Sequence, residues 1–448
     1  MRDILVIALE FAPMPSTGAY RTIEFMRRLP AHGLRPVVLT IHPDDAEPIF
    51  GRKRNLAMLE NLPPEVELAY LRPKTRTRPE NRLQSYLRLL TTLDDRFETR
   101  FTQDLMRQIA TLRNQHDFVA VYATAPPFGA SGLGARAAQA LKLPYLLDMR
   151  DAWADWNPAP LTTRAHLHAK VRDETRAFGA ATRITTVTEE LANVFRQAHP
   201  TLPHDRFTVV PNGFDGVDAL PKAVHWSPLG DTIDIGYIGS FYYIPSKPRS
   251  LRAPHRLLQY DPGNEDWSYR SPLYFFRAWA ALDQLDPELG ARLRFHHVGG
   301  LPDWLPGMAA AHGLSDRCQF NGMIPRDDIP VFMDRMTGFL ATSMKRIGGD
   351  DYCLATKSFE YLTSGKLALG FLCPGAQKRF YQGAGGAVLF DPDDPKGAAR
   401  QLQAIAQTPQ EAPLDKGFLG RFHLNRTAAD MASQILSLTC GKAPSLAS

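Results

Sequence analysis

The sequence predicts an α/β protein built as two doubly wound domains that face each other across a cleft. Three observations carry this. The 448 residues exceed one typical domain and leave room for two or three. Short apolar runs alternate with helix-spaced segments through both halves, the pattern of a parallel sheet covered on both faces. Between the halves, residues 212–228 are rich in Gly, Pro and Asp and lack apolar periodicity, as expected of a linker.

In the first half, residues 4–9 read as an apolar strand, followed by a Pro/Gly loop at 13–18. Residues 21–29 have helical spacing (Ile23, Phe25, Met26, Leu29), and 36–40 read as a second strand. Strands are expected at 118–122, 145–147 and 185–187, and 208–211 closes the half. Residues 129–141 read as a helix of small residues; its Gly129-Ala-Ser-Gly132-Leu-Gly134 cluster is not GxGxxG and suits close helix–sheet packing. In the second half, strands are expected at 233–238, 293–298, 319–321, 338–341, 367–372 and 387–390. A last helix is expected from about 420 to 438, then a frayed tail. The division is therefore 1–215, a linker at 216–230, 231–420, and a terminal helix and tail at 421–448.

Composition narrows the class. Hydrophobic content of 44% and charged content of 22% suit an ordinary soluble globular protein. No apolar run approaches the ~20 residues that span a bilayer. The N-terminus reads as a first strand, not a signal peptide. Cys318, Cys353, Cys373 and Cys440 form no metal-binding spacing and no disulfide framework, which points to a reducing cytoplasm. A net charge of +5 does not imply nucleic acid. The excess is uneven, however. Arg72, Lys74, Arg76, Arg78, Arg82, Arg88, Arg96, Arg100, Arg107 and Arg113 lie in one stretch beside Tyr86, Leu87, Leu89 and Leu90. That stretch reads either as a solvated helical face or as a contact with an anionic membrane or acceptor.

Two such domains bind ligands beyond the C-terminal ends of their strands, so the loops after strands hold the candidates. In residues 356–375, Lys357 and Glu360 fall on the first turn of a short helix that Gly365 ends, ahead of an apolar strand. Lys357 suits a phosphate and Glu360 the two hydroxyls of a ribose; ordinary helix-end electrostatics would explain the same residues. In Asp148-Met-Arg150-Asp151-Ala-Trp153, three charges follow a strand. An arginine between two aspartates would be held by charge-assisted hydrogen bonds, to bind a sugar or leaving phosphate, or as a structural knot. Lys247, Arg249, Arg270 and Lys357 are candidates for a diphosphate clamp. No Walker A, HExxH or GxSxG sequence is present.

Taken together, eight segments resemble the retaining GT-B glycosyltransferases of family 4. They are EFAPMPSTGA (10–19), YATAPPF (122–128), LDMRDAW (147–153), VTEE (187–190), VPNGFD (210–215), IGSF (238–241), HVGG (297–300) and TKSFEYL (356–362). The resemblance spans nearly the whole chain and implies two Rossmann-like domains. The first would bind a saccharide or lipid-linked acceptor and the second a nucleotide-diphospho-sugar; the last helix would cross back onto the first domain. It implies donor contacts from Gly18, Gly239, Ser240, Arg270, Gly299, Lys357 and Glu360. Acceptor contacts would come from Tyr20, Arg21 and Pro126. Arg150 and Asp151 would lie at the transferred sugar. Transfer with retention is expected without metal or cofactor, the leaving diphosphate helping to deprotonate the acceptor hydroxyl.

Two departures stand out. The family places a second glutamate eight positions before the ribose-binding one, and here that position is Tyr352, with Asp350 and Asp351 just upstream. Asp351 is the expected substitute. The insertion at 242–267 carries Lys247, Arg249, Arg252, His255 and Arg256 where the diphosphate clamp forms, and would close on the donor. Two other readings share the architecture: a sugar-nucleotide 2-epimerase and a catalytically silent nucleotide-sugar-binding protein.

Overall fold

The structure, a computed structural model, describes residues 1–73, 84, 87, 90–93, 96–228, 230–245, 257–407 and 410–439. Lys74, Arg76, Arg78, Arg82, Tyr86, Arg88, Leu89, Lys247, Arg249, Arg252, His255, Arg256, Cys440 and the tail lie outside these.

Seven strands make the first sheet: β1 (Arg2–Ile7), β2 (Leu34–Ile41), β3 (Glu67–Leu71), β4 (Phe118–Ala125), β5 (Tyr145–Met149), β6 (Arg183–Thr186) and β7 (Phe207–Val209). All pair in parallel, in the order β3-β2-β1-β4-β5-β6-β7. Strands β4 and β5 are buried on both faces almost throughout, which is why they read as apolar runs with no alternation. Chain order reverses beside β1, so a crevice opens between the C-terminal ends of β1 and β4.

The second half adds β8 (Ala223–Trp226), β9 (Ile233–Ile238), β10 (Glu265–Asp266), β11 (Leu293–Val298), β12 (Cys318–Phe320), β13 (Gly338–Thr342), β14 (Lys345–Arg346), β15 (Leu367–Phe371), β16 (Ala387–Phe390) and β17 (Gln410–Pro413). Six form a parallel sheet, β12-β11-β9-β13-β15-β16, whose own reversal lies between β9 and β13. The protein is thus two doubly wound Rossmann-like halves. Two antiparallel ribbons, β8 with β17 and β10 with β14, complete it.

Several boundaries differ from the sequence reading. The first helix is Thr17–Arg28, not 21–29, because the Ser16 hydroxyl caps it by accepting from the Ala19 N–H at 2.9 Å. Gly18 therefore sits in a helical turn and not in a loop. The stretch expected to be a bare linker contains β8, held by its pairing with β17.

Each half has its own apolar core, and the chain ties the two together. The terminal helix Leu424–Thr439 returns to the first half, where Ala428, Met431, Ala432 and Ile435 pack with Ile4, Val6 and Met26. At the junction, Arg21 is held by charge and hydrogen bonds at once. Its Nε and Nη2 donate to the Asp148 carboxylate at 3.3 and 3.1 Å. Its remaining N–H groups donate to the Val210 and Pro211 carbonyls, both at 2.8 Å, and to Asn212 Oδ1 at 3.1 Å. All five donors of the guanidinium are occupied. Tyr122, Thr124 and Thr185 hydroxyls also donate to Asp148. Burial works against the Asp148 charge, but Arg21 and Thr185 more than offset it, and its pKa lies below the ordinary carboxylate value.

Removing one member of a buried pair strands the other's charge. Asp148→Ala is expected to lower unfolding stability by about 3–5 kcal/mol, measured by urea unfolding. A loss under about 1 kcal/mol, typical of an exposed pair, would contradict the role assigned to it.

Candidate active site

The two crevices face each other. Together they form a cleft of about 200 Å³, lined by Gly18, Arg150 and Asp151 from the first half and Arg270, Cys353 and Lys357 from the second.

On the first side, Arg150 is not ion-paired with Asp148 or Asp151, contrary to the sequence expectation. Asp148 is taken by Arg21 of the first helix. Arg150 is positioned by carbonyls: its backbone N–H and its Nε donate to Ala125 O at 3.0 and 3.2 Å, and its Nη2 donates to Pro126 O. This leaves its charge without a carboxylate partner. The guanidinium lies directly over Gly18, where a Cβ would come within 1.5 Å of Nη1. Pro126 therefore holds Arg150 through its carbonyl. Arg21, expected at the acceptor, has every donor engaged internally and acts as a junction post. Burial raises the pKa of Asp151 against the opposing pull of Arg150 and Arg270.

On the second side, Lys357 begins the helix Lys357–Thr363. Its Nζ donates to Tyr237 Oη at 2.7 Å and reaches Ser240 O at 3.5 Å, and it lies 4.0 Å from the Tyr237 ring centre. Arg270 packs against the faces of Tyr242 and Trp267, 5.0 and 5.8 Å from their ring centres. Among the described residues, no hydrogen bond or ion pair engages the Arg270 guanidinium, and no carboxylate lies within ion-pairing distance of Lys357. Burial, and then Arg270, push the pKa of Lys357 down to about 7. Burial opposes the charge on Arg270 too, but the acidic groups of Cys353 and Asp351 outweigh it and raise its pKa.

Asp351 is fully buried, and burial raises its pKa to about 7. One carboxylate oxygen accepts from the Cys353 N–H at 2.9 Å; the other, Oδ2, has no hydrogen-bond partner. The neighbouring Tyr352 turns away into the core of the first half. Its hydroxyl donates to Glu265 at 2.6 Å, and Glu265 also accepts from Trp267 Nε1 at 2.9 Å and the Asn157 N–H at 3.1 Å. The position given to a glutamate in the resembling family is thus part of a knot between the halves.

Glu360 is exposed on an adjoining cavity of about 780 Å³ that shares Arg21, Asn212 and Thr356 with the first. Tyr20 lines that cavity, and across the cleft Arg326 donates to its hydroxyl at 3.3 Å. Gly239, at φ +100°, passes close to the Lys357 Nζ, and Gly299 lies against the Gly239 carbonyl, where a Cβ would come within 2.5 Å. Ser240 is exposed beside them and offers its carbonyl to Lys357. Tyr237, Tyr242 and Trp267 were missed as site residues. In sequence they read as strand or loop aromatics, and only the cations resting on them give them a function.

Residues 17–213 match the model of the family described as glycosyl transferase 4-like domain. Among solved structures, the chain is similar to HepE of Anabaena in complex with UDP (14% identity, 98% of each chain covered, TM-score 0.52). It is also similar to sucrose-phosphate synthase from Thermosynechococcus elongatus (11% identity, 98% of this chain and 97% of that one, TM-score 0.54). A third is the α,α-trehalose 6-phosphate synthase from Burkholderia multivorans (12% identity, 98% and 97%, TM-score 0.58). These likenesses give the fold of the whole chain, which is GT-B. Among curated proteins, none matches the sequence.

Within this GT-B fold the two glycine contacts differ in kind. Gly239→Ala forces a side chain into positive φ beside Lys357 and is expected to cost about 1–3 kcal/mol. Gly18→Ala meets only the mobile end of Arg150, which swings aside at smaller cost. Urea unfolding of the two variants tests this, and equal losses would contradict it.

Proposed function

We propose that the protein transfers a sugar from a nucleotide-diphospho-sugar to a hydroxyl of a saccharide or lipid-linked acceptor, with retention and without a metal ion. The observation that carries this reading is the pair Lys357 and Arg270. Two cations face one cleft, Arg270 adds to burial in lowering the pKa of Lys357, and among the described residues neither is paired with a carboxylate. A diphosphate would pair with both. HepE, which shares the fold, forms a complex with UDP, which supports a nucleotide as ligand.

In this reading Lys357 and Arg270 bind the two phosphates, with the Gly239–Ser240 and Gly299 turns close to them, and Glu360 accepts from the ribose hydroxyls. Arg150 and Asp151, which line the cleft, adjoin the sugar; Asp351 is fully buried and acts through its charge on Arg270. The bond between the anomeric carbon and the diphosphate oxygen breaks as the acceptor oxygen bonds to that carbon from the same face. The acceptor proton passes to the departing diphosphate. Arg150, Lys357 and Arg270 stabilise the charge that develops there. The Gly18 turn, Tyr20 and Pro126 lie on the acceptor side.

Among the described residues, no helix is long and apolar enough to cross a membrane. We place the reaction in the cytoplasm, in surface or exopolysaccharide assembly. The basic stretch 72–113 would supply a peripheral contact with anionic lipid.

A thermal-shift series with UDP, GDP, ADP, dTDP and CDP tests the donor site, since a ligand that binds the native state raises its melting temperature. One nucleotide is expected to stand out. Arg270→Ala should abolish its shift, and Glu360→Ala should weaken binding roughly 10–100-fold, as for hydrogen bonds to a charged group. No shift with any nucleotide would overturn the reading. Recovery of isomerised donor in place of a transfer product would favour the epimerase.

A further inference from the structure

His297, the penultimate residue of β11, is fully buried. Its ring ends an aromatic stack that leads to Lys357. The Tyr237 and Phe241 ring centres lie 3.9 Å apart, and His297 lies 5.4 Å from Phe241 and 6.0 Å from Tyr237. Tyr237 in turn receives the Lys357 ammonium on its hydroxyl. The imidazole itself has one polar contact. Its Nε2 lies 2.9 Å from the Gly239 carbonyl oxygen, while Nδ1 is buried with no partner among the described residues. A carbonyl only accepts, so Nε2 carries the proton and Nδ1 is bare. Burial lowers the pKa of His297 against the pull of the Gly239 carbonyl, and Lys357 lowers it further, so this neutral form persists.

The hydrogen bond to Gly239 fixes the orientation of a peptide. Gly239 sits at φ +100°, a region glycine enters without steric cost, so the peptide after it has more than one orientation open to it. The Gly239–Ser240 bond is trans, so its C=O and N–H point in opposite directions. The carbonyl is turned inward, against His297 and Gly299. The Ser240 N–H is therefore turned outward, on the side where Ser240 is exposed beside Lys357. Among the described residues, nothing accepts from that N–H. With the peptide reversed, a carbonyl oxygen would stand there instead and repel an anion.

We propose that His297 is a positioning residue for the diphosphate: by holding the Gly239 carbonyl inward, it presents the Ser240 N–H to a phosphate oxygen beside Lys357. This rests on the reading of the cleft as the donor site. A backbone N–H suits the place because it gives an oxyanion a hydrogen bond without a third positive charge. Another cation would repel Lys357, whose charge Arg270 already opposes.

Calorimetric titration of the full chain with inorganic pyrophosphate compares two variants. His297→Phe keeps the aromatic stack and removes the donor; His297→Gln keeps an N–H donor at similar reach and removes the stacked ring. Binding is expected to be about tenfold weaker in His297→Phe, the scale of one charge-assisted hydrogen bond, and within about threefold of wild type in His297→Gln. A role confined to packing gives the reverse order; that order, or equal affinities in the two variants, overturns the proposal. A second measurement needs no His297 variant. In wild-type protein carrying nitrogen-15-labelled serine, the Ser240 amide resonance, assigned by its loss in Ser240→Ala, is expected to move as pyrophosphate binds. A Ser240 resonance that stays in place while pyrophosphate binds overturns the proposal. A wild type that binds neither pyrophosphate nor any nucleotide sinks the donor reading itself.

Discussion

Lys357 and Arg270 are held together in one cleft with no carboxylate paired to either, and much of the surrounding structure serves to keep them there. Like charges in a partly desolvated site repel, so each needs support that does not neutralise it. Lys357 finds it in the Tyr237 hydroxyl and ring and in the Ser240 carbonyl. Arg270 finds it in two aromatic faces. These partners stabilise a cation through dipoles and quadrupoles and leave its net charge in place. Burial pushes the pKa of Asp351, which acts on Arg270, up to about 7, so near neutral pH it cancels only part of the field.

The two halves supply this cleft only when correctly set against each other, and two buried polar knots do that. At the junction, Arg21 joins Asp148 at the end of β5 to the 210–211 backbone and the Asn212 side chain. At the cleft floor, Glu265 of the second half gathers Tyr352, Trp267 and the Asn157 N–H. Burial raises the pKa of Glu265 even against these hydrogen bonds, so the knot is firmest when its donors are all in place. The terminal helix adds an apolar seam on the outside of the first sheet.

The parallel strands were legible in the sequence because burial on both faces leaves continuous apolar runs such as Leu367–Phe371. The ribbons β8–β17 and β10–β14 were not; a two- to four-residue strand is defined by its distant partner, not by its own pattern. The first helix was placed late because Gly18 reads as a loop residue, although Ser16 already signals a cap. In the site, Lys357, Arg270 and Glu360 could be named from their loops. Arg21 and Arg150 could not be told apart, since each is an arginine beside a strand end. Which one is occupied internally depends on Asp148, 127 residues from Arg21. Strand alternation would put Asp148 and Arg150 on one face, but β5 ends at Met149 and Arg150 lies in the turn beyond it, which the pattern Asp-x-Arg-Asp conceals. The gap at Tyr352 was visible, but not that its hydroxyl serves Glu265.

The central claim is that the cleft holds uncompensated positive charge meant for a diphosphate. With Lys357 titrating at about 7, a bound diphosphate must restore its proton at higher pH, because the ligand raises a pKa that burial and Arg270 had lowered. Burial also raises the pKa of Asp351, to about 7, and those of Asp151 and Glu360, and lowers that of His297. The direct measurement is calorimetric titration with the binding nucleotide sugar at pH 8 in two buffers of different ionisation enthalpy. Uptake approaching ~1 proton per nucleotide, falling sharply in Lys357→Met, is the expected result. Binding with no proton uptake, or uptake unchanged in Lys357→Met, would contradict the account.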